Sequence, residues 1–159
     1  MTPYLIVIQP IHPKKLPFKH AMLKKWAKQP LLSLPSAELT LRFVSNDDIQ
    51  QLNHTYRHKN APTNVLAFPS QVPRHLPLAR RLLGDLIVAP DVLYAEHLAQ
   101  HIALDAHWAH IIIHGVLHLL GYQHEKTAET IQMQTLEKKL LHQLHFPNPY
   151  ATEHAYFES

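Results

Sequence analysis

The chain has 159 residues, 46% of them hydrophobic and 17% charged, which excludes an intrinsically disordered segment and suits one domain with a substantial core. It has no cysteine, so disulfide frameworks and thiolate metal sites are excluded, and any metal must be held by His, Asp or Glu. A net charge of +3 admits a polyanionic partner without requiring one, because the basic residues fall in pairs such as Lys24-Lys25 and Arg80-Arg81 that suit solvated faces.

The N-terminus carries a short apolar run with no basic residue before it, so residues 4–8 read as a strand and not as a signal peptide. From Pro17, Phe18, Met22, Leu23, Trp26 and Ala27 follow helical spacing until Pro30 ends the element. Leu39, Leu41 and Phe43 alternate with Thr40 and Arg42, the pattern of a half-buried strand. Ser45 or Asn46 caps the next helix, with Asp47 and Asp48 in its first turn and Ile49, Leu52 and Tyr56 marking its buried face. Residues 65–68 form a brief strand, 73–81 a surface loop, and 83–89 a second apolar strand interrupted only by Gly84 and Asp85. Pro90 suits the first turn of a helix running to about Gln100.

Residues 104–120 predict a helix with Gly115 inside it, and 127–145 a final helix burying Ile131, Leu136, Leu140 and Leu144. Beyond Pro147 the chain reads as irregular. Strands and helices interleave with no repeat or linker between them. The expected fold is α+β, one domain over 1–159, with a small mixed sheet of about four strands packed against several helices. No stretch has the apolar length to cross a membrane, so a cytoplasmic protein without a membrane partner is expected.

The helix at 104–120 carries the chemistry. His114 and His118 are four residues apart and project from one face. Gly121 can take the left-handed conformation that ends the helix and returns His124 to the same point. Three neutral imidazoles with a fourth position left for water is how a catalytic zinc ion is held. The chain has 15 histidines, so a pair at helical spacing arises by chance, and His107 and His110 extend the same stripe. A third histidine just past a helix-ending glycine is much harder to obtain by coincidence. Three imidazoles also suit nickel, copper or iron. Gly115 has a packing role against another helix, or a functional one in admitting substrate or backbone near the metal.

The spacing of the three histidines is shared with the metzincin zinc proteases, but those place a Glu after the first His, where this chain has Gly115. The longer string His114-Gly115-x-Leu117-His118-Leu119-Leu120-Gly121-Tyr122-x-His124 resembles the bacterial YbeY family, metal-dependent single-strand endoribonucleases linked to ribosomal RNA maturation. The segment from Leu52 through Arg57, Lys59 and Pro62-Thr63-Asn64 to Phe68 agrees, as does Leu83-Gly84-Asp85-Leu86-Ile87. The family usually has Asp where this chain has Asn60 and Gln123, and Ser where it has Ala67. Gln123 removes an acidic partner from beside His124.

The resemblance implies a zinc-dependent endoribonuclease with His114, His118 and His124 as metal ligands and His114 and Arg57 in catalysis. Arg57 would hold phosphate oxygens, with Lys59 guiding the backbone of single-stranded RNA. It also implies maturation of the 16S ribosomal RNA 3′ end, ribosome quality control, and contact with the small subunit and assembly factors. Asp85 and His110 are candidates to orient a ligand or water, and Tyr122 reads as packing. No residue presents itself as the general base. Two other readings use the same three histidines: a zinc peptidase-like hydrolase with Glu96 or Glu125 as base, and a non-enzymatic ribosome-assembly factor with a structural metal, whose coordination shell would be closed.

Overall fold

A computed structural model describes residues 2–73 and 75–151. Strand β1 (Tyr4–Pro10) pairs in parallel with β2 (Ala37–Phe43), and a later strand, Leu82–Val88, pairs in parallel with β2 on its other side. Between these two in sequence comes β3 (Val65–Pro69), which makes Leu82–Val88 the fourth strand, β4; β3 runs antiparallel to it at the sheet edge. The order is β1-β2-β4-β3, the small mixed sheet that the sequence predicts.

Alternation along the strands decides which side chains face which layer. In β2, Ala37, Leu39, Leu41 and Phe43 are buried while Glu38, Thr40 and Arg42 are only half-buried. In β3, Val65 and Ala67 join the main core, whereas Leu66 and Phe68 join a second apolar cluster with Val44, Ile49 and Ile87. Helix α1 (His20–Lys28) serves the main core, and α2 (Asn46–Arg57) covers the second cluster through Ile49. Ser45 Oγ caps α2 by accepting from Asp48 N–H at 3.2 Å. Gly84 allows β3 and β4 to approach: its φ is +127°, and a Cβ there would lie 2.1 Å from the Phe68 carbonyl oxygen.

After β4 come α3 (Pro90–Gln100), α4 (Leu104–Leu119) and α5 (Thr127–Gln143). Helix α4 is the central element and packs against α1, α3, α5, β3 and β4. Ten of its sixteen residues are buried, including Trp108, Ile112, Ile113, Val116 and Leu117, because other elements cover most of its sides. Trp108 stacks on Phe43 at 5.6 Å and meets Phe18 edge-on at 5.3 Å.

Several expectations are corrected here. Helix α1 begins at His20, so Phe18 precedes it and packs as a lid on Trp26 and Trp108, while Met22 is exposed. Tyr56 is 61% exposed and lies edge-on to Phe68, so it does not mark the buried face of α2. Ile131 is 60% exposed, because the buried stripe of α5 runs through Met133, Glu137, Leu140 and Leu141. Leu136 and Leu144 flank that stripe, half-buried against the core. Gly115 meets a strand and not a helix: a Cβ there would lie 2.3 Å from Leu86 Cδ1 on β4. Part of the irregular tail expected after Pro147, residues 152–159, lies outside the described residues.

Candidate metal centre

The last turn of α4 builds the centre from its backbone outward. Gly121, at φ +102°, donates to the His118 carbonyl at 3.0 Å, and Tyr122 N–H reaches back to the Leu117 carbonyl at 3.1 Å. These are the two bonds of a Schellman helix end. They turn the Tyr122 carbonyl toward the His118 ring, whose Nδ1 donates to it at 2.9 Å. A carbonyl oxygen only accepts, so Nδ1 carries the proton and the neutral ring keeps its lone pair on Nε2.

One turn earlier, His114 presents Nδ1 to Glu137 Oε1 at 3.4 Å and Nε2 to His118 Nε2 at 3.0 Å. The two Nε2 atoms therefore face each other. Two lone pairs at that distance repel unless a proton or a cation lies between them. A proton is disfavoured on His118: burial, followed by the nearby His114, lowers its pKa from 6.5 to about 4. A cation remains. Two ligands of one tetrahedral zinc ion sit about 3.3 Å apart, so small adjustments accommodate it.

His124 completes the group from beyond the helix end. Its ring centroid lies 4.9 Å from that of His118 and 5.6 Å from that of His114, and the ligand atoms of all three lie within 4.8 Å of one another. Among the described residues no fourth His, Asp or Glu joins this group, which leaves room for an exchangeable ligand. His114 and His118 are half-buried and His124 is exposed. The trio thus sits at a surface opening, and His114 and His124 line a cleft of about 980 Å³ with Asn64, Glu96, His110 and Tyr150.

Glu137 is the residue that the sequence reading missed. It is 1% exposed and accepts from His110 Nε2 at 2.5 Å and from Tyr150 OH at 2.9 Å, both at Oε2. These donors, with His114, outweigh burial and hold its pKa near 2, so it is ionised. Burial and the Glu137 charge push the Tyr150 phenol upward, which keeps its proton available for donation. His110, His114 and Glu137 form a second cluster of ligand type. The 2.5 Å between His110 and Glu137 is a hydrogen bond and is too short to hold an ion between them.

The remaining sequence candidates lie elsewhere. Arg57 is exposed at the end of α2, and its guanidinium donates to the Ala67 carbonyl on β3 at 3.3 Å. Lys59 is exposed just beyond, its N–H bonded to the Asn53 carbonyl at 3.3 Å. Neither lines the cleft, although Arg57 grips the edge strand against which α4 packs. Asp85 follows the alternation of β4 onto the face opposite Leu86, away from the histidines, and its carboxylate makes no hydrogen bond among the described residues. Glu96 is taken up by His107 Nε2 at 2.9 Å and by Asn64 Nδ2 at 3.3 Å, and Glu125 is exposed. Asn60 accepts from Gln50 at 3.1 Å, and beside Gln123 the His124 ring has no hydrogen bond among the described residues. Tyr122 packs on the core and contributes its carbonyl, not its ring.

Known proteins share the sequence family and the fold. The family model described as Endoribonuclease YbeY matches residues 12–145. A Legionella pneumophila protein named Endoribonuclease YbeY is 48% identical over 151 residues, covering 94% of this chain and 96% of its own length. Proteins of the same name from Psychromonas ingrahamii and Pseudomonas putida are 47% and 46% identical, covering 89% and 84% of this chain and 90% and 85% of their own. A solution structure of a Thermotoga maritima protein shares the fold, with TM-score 0.55 and 20% identity over 87% of this chain and 92% of that one.

Proposed function

The chain belongs to the YbeY endoribonuclease family, and from that premise we propose that it is a single-strand-specific endoribonuclease that holds zinc through His114, His118 and His124. One observation carries the metal reading: the Nε2 atoms of His114 and His118 face each other at 3.0 Å with His124 beside them, and both Nδ1 atoms are turned to oxygens. A cation held there supplies Lewis acidity, polarising a phosphoryl oxygen and activating water near neutral pH. His114 is the ligand that reaches deepest into the cleft chemistry, since its ring touches both the metal position and Glu137.

The chain's own residues divide the other tasks. Arg57, anchored by one bond to Ala67, keeps the rest of an exposed guanidinium for two phosphoryl oxygens and for the charge that grows on them. Lys59, exposed next to it, adds positive charge along the RNA backbone. The biological substrate in this reading is ribosomal RNA: maturation of the 16S 3′ end and ribosome quality control, in contact with the small subunit and its assembly factors. These assignments rest on the family, as does a cytoplasmic site of action; no helix among the described residues is long and apolar enough to cross a membrane.

The test is cleavage of a labelled single-stranded RNA by purified protein, before and after EDTA, and again with zinc restored. Cleavage of single strands, loss with chelator and recovery with zinc are expected, with a matched duplex left intact. Cleavage that persists in EDTA, or a protein that cuts an unstructured peptide and not RNA, refutes the reading.

A further inference from the structure

We propose that Glu137 is a positioning residue for the metal centre: its buried carboxylate holds the proton of His114 on Nδ1, aims Nε2 at the ion and offsets part of the ion's charge. This rests on the reading of the three histidines as metal ligands. The geometry has three independent parts. First, Glu137 Oε1 lies 3.4 Å from His114 Nδ1, while Nε2 of the same ring lies 3.0 Å from His118 Nε2. The carboxylate and the metal position thus occupy the two ends of one imidazole, the arrangement by which a carboxylate orients a ligand histidine and raises its basicity.

Second, the carboxylate is itself held in place. His110 Nε2 and Tyr150 OH both donate to Oε2, at 2.5 and 2.9 Å, and leave Oε1 for His114. These donors come from α4 and from the chain beyond α5, so Glu137 is clamped between elements. Third, a carboxylate 1% exposed needs compensating positive charge, and among the described residues no Lys or Arg pairs with it. Three neutral imidazoles leave a divalent ion with its full charge, and Glu137 is the buried anion that reaches it through one ring. His118 has only a neutral carbonyl in the equivalent place, so the two helical ligands differ in donor strength.

Cobalt(II), added to metal-free protein, reports affinity and ligand field together through its visible absorption. Glu137→Gln should lower cobalt affinity about 10- to 100-fold and shift the bands. Tyr150→Phe, which loosens Glu137 without removing its charge, should give a smaller loss. A variant that does not fold is answered in the wild-type protein. There, nitrogen-15 correlation spectra of the metal-free imidazoles should place the His114 proton on Nδ1. A His114 proton on Nε2, or a Glu137→Gln variant with unchanged cobalt affinity and spectrum, overturns the proposal. Wild-type protein that takes up no cobalt at all overturns the metal reading, and this proposal with it; that result is separate from a variant matching an active wild type.

Discussion

His118 is asked to stay neutral in a position where a free histidine is partly protonated. Its pKa falls to about 4 through burial and its histidine neighbours, so in the metal-free protein the unfolded chain binds the extra proton between pH 6.5 and 4. Stability should therefore drop on acidification through that window. Glu137, lowered from 4.5 to about 2, contributes stability that is present above pH 4.5 and is lost as pH falls toward 2. The two windows adjoin. Urea denaturation of metal-free protein should show a continuous loss of stability from pH 6.5 downward, and His118→Asn should flatten the upper part of that slope. An unchanged slope in the variant would contradict the assignment. Arg57 is the other residue whose role is separable: it is exposed and makes a single bond to Ala67. Arg57→Ala should lower kcat by about 100-fold or more while leaving zinc stoichiometry unchanged and stability within about 0.5 kcal/mol. Wild-type cleavage rates in that variant would remove Arg57 from the mechanism.

At the scale of elements, the decisive contact is α4 against β4. Gly115 lets the helix settle on Leu86, which is fully buried and has little space to retreat into. Gly115→Ala gains about 1 kcal/mol of helix propensity but forces a Cβ toward Leu86 Cδ1, an overpacking cost of about 1–3 kcal/mol. Net destabilisation is expected, read by equilibrium unfolding. The cost should shrink in a Leu86→Ala background, where the added methyl has room. Additive effects of the two substitutions would mean that Leu86 is not what the glycine accommodates. Because His114 immediately precedes Gly115, the same shift should also weaken metal binding. Helix α5 shows how an element's face escapes a reading of apolar residues: Met133, Glu137, Leu140 and Leu141 form its buried stripe, with a carboxylate among them.

For the whole molecule, a metal that binds only the folded state stabilises it by mass action. Zinc at 100 times its Kd adds about 2.7 kcal/mol, or roughly 5–10 °C in Tm for a chain of this size. Differential scanning of the protein with zinc and with EDTA should show that difference, and a His114→Ala/His118→Ala variant should not. Equal melting temperatures for the wild type in both conditions would count against a bound ion.

The three histidines, the helix that bears two of them and the glycine that ends it were legible in the primary structure, because all depend on spacing within about ten residues of one another. Alternation in Leu39–Phe43 and the Ser45 cap were equally readable, since strand pleat and helix ends are local geometry. The partners of those histidines were not. His110 and Glu137 are 27 residues apart, and Tyr150 lies 40 from His110, so their convergence exists only once α5 and the following chain pack on α4. For the same reason Gly115 found a strand and not a helix, and Tyr56 and Ile131 turned outward: helical periodicity defines a face, but only packing decides what covers it. Sequence by itself determined the family, the α+β architecture and the spacing of the three histidines; tertiary structure decided which buried anion stands behind them.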